Sequence, residues 1–253
     1  MSRRWRRRLA GLLVGLVMGG GLFFFVTRPG PTQAFPLAIT PVIPALDREQ
    51  SGKTETVTFA AGCFWGPDSR FGALEGVVRT RVGYAGGLAE GPTYDVIGDH
   101  TESVEIEFDP SKISFRQLVE LYSGSPNVRR KPWKRQYRNV FFYRDEAQRA
   151  VVQAVLGKTG FEVDIEPFRS FTRAEDYHQK YHLQQSDLLV QYHGVFKDFR
   201  GFTDSTAVAR VNGYLGGRTP AASIESQLSK LGLNSEGQKL LLKLSASPAL
   251  ECQ

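Results

Sequence analysis

Cysteine is nearly absent from this chain. Two residues, Cys63 and Cys252, occur in 253, and neither belongs to a CxxC pair. That excludes a disulfide-stapled scaffold and leaves no cysteine pattern for a structural zinc site. Histidine is scarce too: His100, His178, His182 and His193 form no HExxH or other recognised ligand spacing. His178 and His182 lie four apart, close enough to share a helix face, but two imidazoles alone are weak evidence for a metal; no metal is expected.

A positive charge excess is missing as well, although the formal net charge is +6. Residues 1–35 carry six of the 32 basic residues and no acid, and the remaining 26 basic residues match the 26 acidic ones. The basic character belongs to the leader, so no broad electrostatic surface points to a nucleic-acid partner.

That leader, MSRRWRRRLAGLLVGLVMGGGLFFFVTRPGPTQAF, has a cationic start followed by the uncharged, mostly apolar run Leu9–Val26. The run is longer than a usual signal h-region and shorter than the roughly 20 residues of a spanning helix. Three consecutive glycines weaken it as a helix, and Thr32-Gln33-Ala34 offers small residues near a cleavage point. Both readings, a retained signal anchor and a cleaved signal, place residues 36–253 on the non-cytoplasmic side, with the membrane contacted through the N-terminal segment.

Residues 36–53 read as a linker, and regular patterning begins at Thr54. TETVTFAAG alternates as a strand, WGPDSRFGALEG is helix-like, and VVRTRVGYAGG is a second strand. ESVEIEFDP carries the clearest alternation, and Ser114 suits an N-cap before FRQLVELYS. YRNVFFYRD, DEAQRAVVQAVLGKTG and FEVDIEPF follow as strand, helix and strand. This order predicts an α+β, two-layer sandwich with a ferredoxin-like β-α-β-β-α-β core, a mixed sheet and an irregular C-terminal extension. Residues 54–253 then form one catalytic domain with a C-terminal tail. After residue 170 alternation stops, and the last part reads as short amphipathic helices and a loose end.

Cys63 sits in GCFWG, where a strand pattern gives way to a helix pattern. Backbone N–H groups and the helix dipole there favour a thiolate. A small buried cysteine is the competing interpretation.

Six ordered blocks bear on that choice: GCFWG at 62–66, VGYAGG at 82–87, PTY at 92–94, HTESVEIEFDPSKIS at 100–114, QYRNVFFY at 136–143 and AEDYHQKY at 174–181. Together they resemble the peptide methionine sulfoxide reductase A family from about Thr54 to Tyr214. The resemblance implies thiol-dependent reduction of the S epimer of methionine sulfoxide, free or within oxidised proteins and peptides, by attack of the Cys63 thiolate on sulfur. It implies Glu102 as the acid, Tyr94 and Tyr137 as phenols that bind the sulfoxide oxygen, and Phe64 and Trp65 as walls of an apolar methyl pocket. No bound cofactor is implied, only an external thiol reductant, thioredoxin-like or small. A carboxyl kept protonated needs burial, which apolar surroundings supply. Glu105 and Glu107 on the same strand make an outward-facing Glu102 the alternative.

Attack leaves a sulfenic acid on Cys63, which a second thiol condenses into a disulfide. Many relatives carry the resolving cysteine just after NGY, where this chain has Leu215. Cys252 is the remaining candidate, and an external thiol acting on the sulfenic acid is the other route. Pro132 stands where relatives usually have an aspartate. Arg129, Arg130, Lys131, Lys134 and Arg135 form a basic cluster that suits anionic lipid, acidic protein segments or plain solvent. Two other functions compete: a non-catalytic binding or tethering domain of the same fold, and a cysteine hydrolase, which needs His100 or His178 as base.

Overall fold

The computed structural model describes residues 41–49 and 52–246. The N-terminal segment read as a signal or anchor, and Cys252, lie outside these residues. Among the described residues no helix is long and apolar enough to cross a membrane.

The chain runs through α1 (Ala45–Arg48), β1 (Glu55–Ala61), α2 (Trp65–Gly72), β2 (Val77–Ala85), β3 (Thr101–Phe108), α3 (Phe115–Ser123), β4 (Asn139–Tyr143) and α4 (Glu146–Leu156). Two short strands follow, β5 (Asp164–Pro167) and β6 (Phe171–Arg173), then α5 (Tyr181–Gln184), α6 (Phe199–Thr203), α7 (Thr206–Leu215), α8 (Ala221–Glu225) and α9 (Ser235–Ser245). The sheet order is β5-β4-β1-β3-β2-β6. β3 pairs antiparallel with both β1 and β2, and β4 antiparallel with β1, which is the split βαβ arrangement. β5 adds in parallel to β4, and β6 antiparallel to β2, so the sheet is mixed.

Strand alternation sorts the side chains into two faces. Val57, Phe59, Val104, Ile106 and Phe141 share the face that packs on Phe71 of α2, on Leu118 and Tyr122 of α3, and on Val152 of α4. Burying each such side chain contributes about 1.5–3 kcal/mol. α3 starts as its sequence indicates: Ser114 Oγ accepts from Gln117 N–H while Gln117 reaches back to Ser114 N–H, a capping box.

The opposite face carries charge. Glu105 pairs with Arg81 (3.5 Å) and Arg144 (3.2 Å), and Glu107 with Arg79 (3.3 Å). Residue 102 is two positions from Val104 and odd-numbered Glu105 and Glu107 are not in phase with it, so Glu102 lies on the core face.

The C-terminal extension is more ordered than its sequence suggests. All ten residues of α7 are buried, and its apolar side chains centre a second cluster with Leu183, Tyr192, Leu231 and Leu241. A helix buried on every side shows no amphipathic stripe, which is why periodicity missed it. It presses on α2 through glycines: a Cβ on Gly213 would stand 2.3 Å from Ala73 N, and one on Gly72 2.6 Å from Ala209 O. In the region read as linker, α1 docks on this unit, because the Asp47 carboxylate accepts from Ser205 Oγ (2.7 Å) and from Ala207 N–H (3.1 Å) at the start of α7.

Candidate active site

Cys63 occupies the turn between β1 and α2. Gly62 makes that turn with φ of +71°, a left-handed conformation costly for other residues. The Asn127 carboxamide closes over it, donating to Ala61 O at 3.1 Å. Cys63 is half-buried and disulfide-bonded, two positions before the first residue of α2.

Phe64 is buried, and its N–H is the backbone donor next to the sulfur-bearing residue. It donates to Glu102 Oε2 at 3.1 Å. The helix-end amide that was expected to favour a thiolate is therefore used to hold a carboxyl beside Cys63. Gln136 Nε2 donates to Glu102 Oε1 at 2.6 Å. Glu102 is 1 % exposed, and burial raises its pKa from 4.5 to about 7, against the opposing pull of the Gln136 and Phe64 hydrogen bonds.

Two phenols stand near it. The Tyr137 hydroxyl shares a hydrogen bond with the Tyr94 side chain, and burial, Glu102 and Tyr94 together raise the Tyr137 pKa. Tyr94 is held from behind: its N–H donates to Glu175 Oε1 at 2.9 Å, while Tyr84 O–H donates to Glu175 Oε2 at 2.7 Å. Burial pushes the Glu175 carboxyl up, but these hydrogen bonds prevail and keep it below its usual range. Tyr84 is also the cross-strand partner of Glu102, so one strand pair supplies both the acid and the support of the Tyr94 loop.

The apolar wall is aromatic. Trp65 stacks flat on Tyr181 at 3.6 Å between centroids, and Phe64 meets the His178 ring edge-on at 5.0 Å. His178 also contacts the Trp65, Tyr94 and Tyr177 rings. Burial lowers its pKa, with the nearby Glu175 carboxylate opposing. Neither His178 nitrogen has a hydrogen-bond partner among the described residues. His100 lies in a separate turn, bonded to Ala89 O (2.8 Å) and Gly87 N–H (3.3 Å). The His100 nitrogens are thus engaged by backbone groups away from Cys63. His178 and His182 also fall on different short helices, and no group of metal-ligating side chains exists among the described residues.

α2 itself is fixed by a buried network. Lys180, held in a left-handed backbone conformation, donates from Nζ to Asp68 Oδ1 (2.7 Å) and Thr80 O (2.6 Å), and Asn212 Nδ2 reaches Asp68 Oδ2 (3.2 Å). Asp68 in the first turn would oppose an anion at that helix end, and Lys180 neutralises it.

The structure thus gathers Phe64, Trp65, Tyr94, Glu102 and Tyr137 around the Cys63 turn. Sequence reasoning did not find Gln136, Glu175 or Lys180. Gln136 and Glu175 lie inside the quoted blocks QYRNVFFY and AEDYHQKY, and nothing in their spacing tells that they face Glu102 and the Tyr94 loop.

The fold and this site define a cysteine-centred α+β oxidoreductase. A family model described as peptide methionine sulfoxide reductase matches residues 55–205. A peptide methionine sulfoxide reductase of Drosophila melanogaster is 37% identical over 186 residues, covering 70% of this chain and 75% of that protein. One of Acidobacterium capsulatum is 40% identical over 141 residues, covering 49% of this chain and 90% of its own. Among solved structures, methionine sulfoxide reductase A of Corynebacterium diphtheriae aligns with a TM-score of 0.45 and 30% identity, over 56% of this chain and 78% of that one. The chain belongs to the peptide methionine sulfoxide reductase family, and it is an enzyme of that class.

Proposed function

We propose that this chain reduces the S epimer of methionine sulfoxide, with Cys63 as nucleophile and Glu102 as proton donor. The Cys63 thiolate attacks the sulfoxide sulfur while Glu102 delivers a proton to the departing oxygen. Oxygen transfers to Cys63 as a sulfenic acid, the sulfide leaves as methionine, and sulfur in the substrate is reduced by the two electrons that Cys63 loses. Tyr94 and Tyr137 hydrogen-bond the oxygen, and Phe64 with Trp65 receives the methyl group. The observation that carries this reading is the buried Glu102 carboxyl, with a pKa of about 7, bonded to the N–H that follows Cys63.

Cys252 then condenses with the sulfenic acid, releasing water and forming a disulfide, and an external dithiol of the thioredoxin kind reduces it. Cys252 is the one other cysteine of the sequence, which supports this second step. The cationic, apolar leader supports placing the domain outside the cytoplasm, where it repairs oxidised proteins. The joint presence of the cysteine, acid and phenols argues against a merely tethering domain. The test is a dithiothreitol-driven assay on the separate epimers of a dabsylated methionine sulfoxide. Turnover of the S epimer alone is expected, and no turnover of either would sink the proposal.

A further inference from the structure

The basic cluster between Asn127 and Tyr137 is built into the rim of this site. Asn127 closes over the Cys63 turn, and the buried Asn139 carboxamide holds Val128 O (3.1 Å) and Arg130 O (3.2 Å). At the other end Thr101 Oγ1 donates to Arg135 O at 2.7 Å, and Gln136 bonds Glu102. A stretch anchored at both ends to the reacting groups presents its middle to whatever enters.

That middle is cationic and aromatic. Trp133 is 73% exposed, and its ring lies 5.3 Å from that of Tyr137, with Lys134 Nζ 4.4 Å over the indole. Some of the neighbouring charges are engaged: Arg129 lies over the Phe161 ring, Arg135 caps Asp99 O, and Arg138 pairs with Asp164 and Glu166. Arg130 and Lys131 are exposed and have no acidic partner among the described residues. Arg130 and Lys131 are therefore open to an acidic group on an incoming chain.

We infer that Arg130 and Lys131 select substrates in which the oxidised methionine has acidic residues on one flank, with the Trp133 ring carrying the adjoining peptide. This rests on the proposed reduction of methionine sulfoxide and specifies its substrate class. Charge complementarity at an exposed rim steers and orients more than it tightens binding, and salt screens it. Free methionine sulfoxide has no flanks and does not sense it.

The test uses the full chain with dithiothreitol as reductant. The substrates are short acetylated peptides with one methionine S-sulfoxide and glutamate, glutamine or lysine placed before or after it. On one side glutamate should exceed glutamine, and glutamine lysine, with about 3–10-fold in kcat/KM between the extremes at low salt. Added salt should compress the ratio, and the double substitution Arg130→Glu/Lys131→Glu should invert the order. Unchanged far-ultraviolet circular dichroism establishes that the double variant is folded. Equal kcat/KM for the three flanks, or an order that survives the double substitution, overturns the inference. So does a variant that changes only binding to phosphatidylglycerol vesicles, which would assign the cluster to a membrane surface. Absence of turnover on every one of these peptides would instead refute the underlying reaction.

Discussion

Replacing Glu102 by glutamine keeps the size of the side chain and removes its proton. In the native protein Glu102 Oε2 faces the Phe64 N–H and Oε1 faces the Gln136 amide, so both oxygens accept. A glutamine oxygen can keep the Phe64 bond, and a flip of the Gln136 amide lets its carbonyl accept from the new NH₂. The site should stay assembled while the chemistry fails. Loss of a general acid typically costs about 10²–10⁴-fold, so single-turnover formation of methionine by the reduced enzyme should slow by that factor. Stability offers a second, independent readout. Burial raises the Glu102 pKa from 4.5 to about 7, so the folded protein binds this proton more tightly than the unfolded chain. The resulting stability is present below pH 4.5 and is lost as pH rises through 7. Between pH 5 and pH 8 the loss at this one group amounts to about 2–3 kcal/mol. Glu102→Gln lacks the titration, so its stability relative to the native protein should improve by that amount across the same interval. Urea unfolding of both proteins at the two pH values measures it. An unchanged single-turnover rate, together with a pH-independent stability difference, would show that Glu102 is an ordinary buried carboxylate.

Three further outcomes are expected. Cys63→Ser should abolish sulfoxide reduction and leave the far-ultraviolet circular dichroism unchanged, because a hydroxyl is a far poorer nucleophile toward sulfur; residual turnover would remove Cys63 from the mechanism. Cys252→Ser should complete one turnover and stop as a dimedone-reactive sulfenic acid, with dithiothreitol but not thioredoxin restoring further cycles; full thioredoxin-driven turnover in that variant would exclude Cys252 as the resolving thiol. Lys180→Met should lower the unfolding free energy by about 3–5 kcal/mol, because it removes the buried cation that faces the Asp68 carboxyl and leaves it only neutral donors such as Asn212 Nδ2; a loss under about 1 kcal/mol would mean the network does not brace α2.

Much of the first half of the chain is legible from local pattern. Alternation marks β1 and β3, and Ser114 with Gln117 announces the start of α3, because these signals act between residues a few positions apart. The parity of β3 already contained the orientation of Glu102: it is in phase with Val104 and Ile106 and out of phase with Glu105 and Glu107. Position alone does not tell that its carboxyl lies against Phe64 N–H, 38 residues away.

Tertiary structure decided the rest, for reasons of distance and burial. α7 is covered on all sides and lacks the one-sided pattern that periodicity detects. Gln136, Glu175 and Lys180 become meaningful only when the β3 end, the Tyr94 loop and α2 are brought beside them. A pKa of about 7 on Glu102 is likewise a property of its enclosure, since an exposed glutamate of the same sequence would titrate near 4.5. The cysteine in GCFWG was visible in the sequence as a candidate nucleophile on a turn, whereas only the fold sets the buried Glu102 carboxyl against the N–H that follows it.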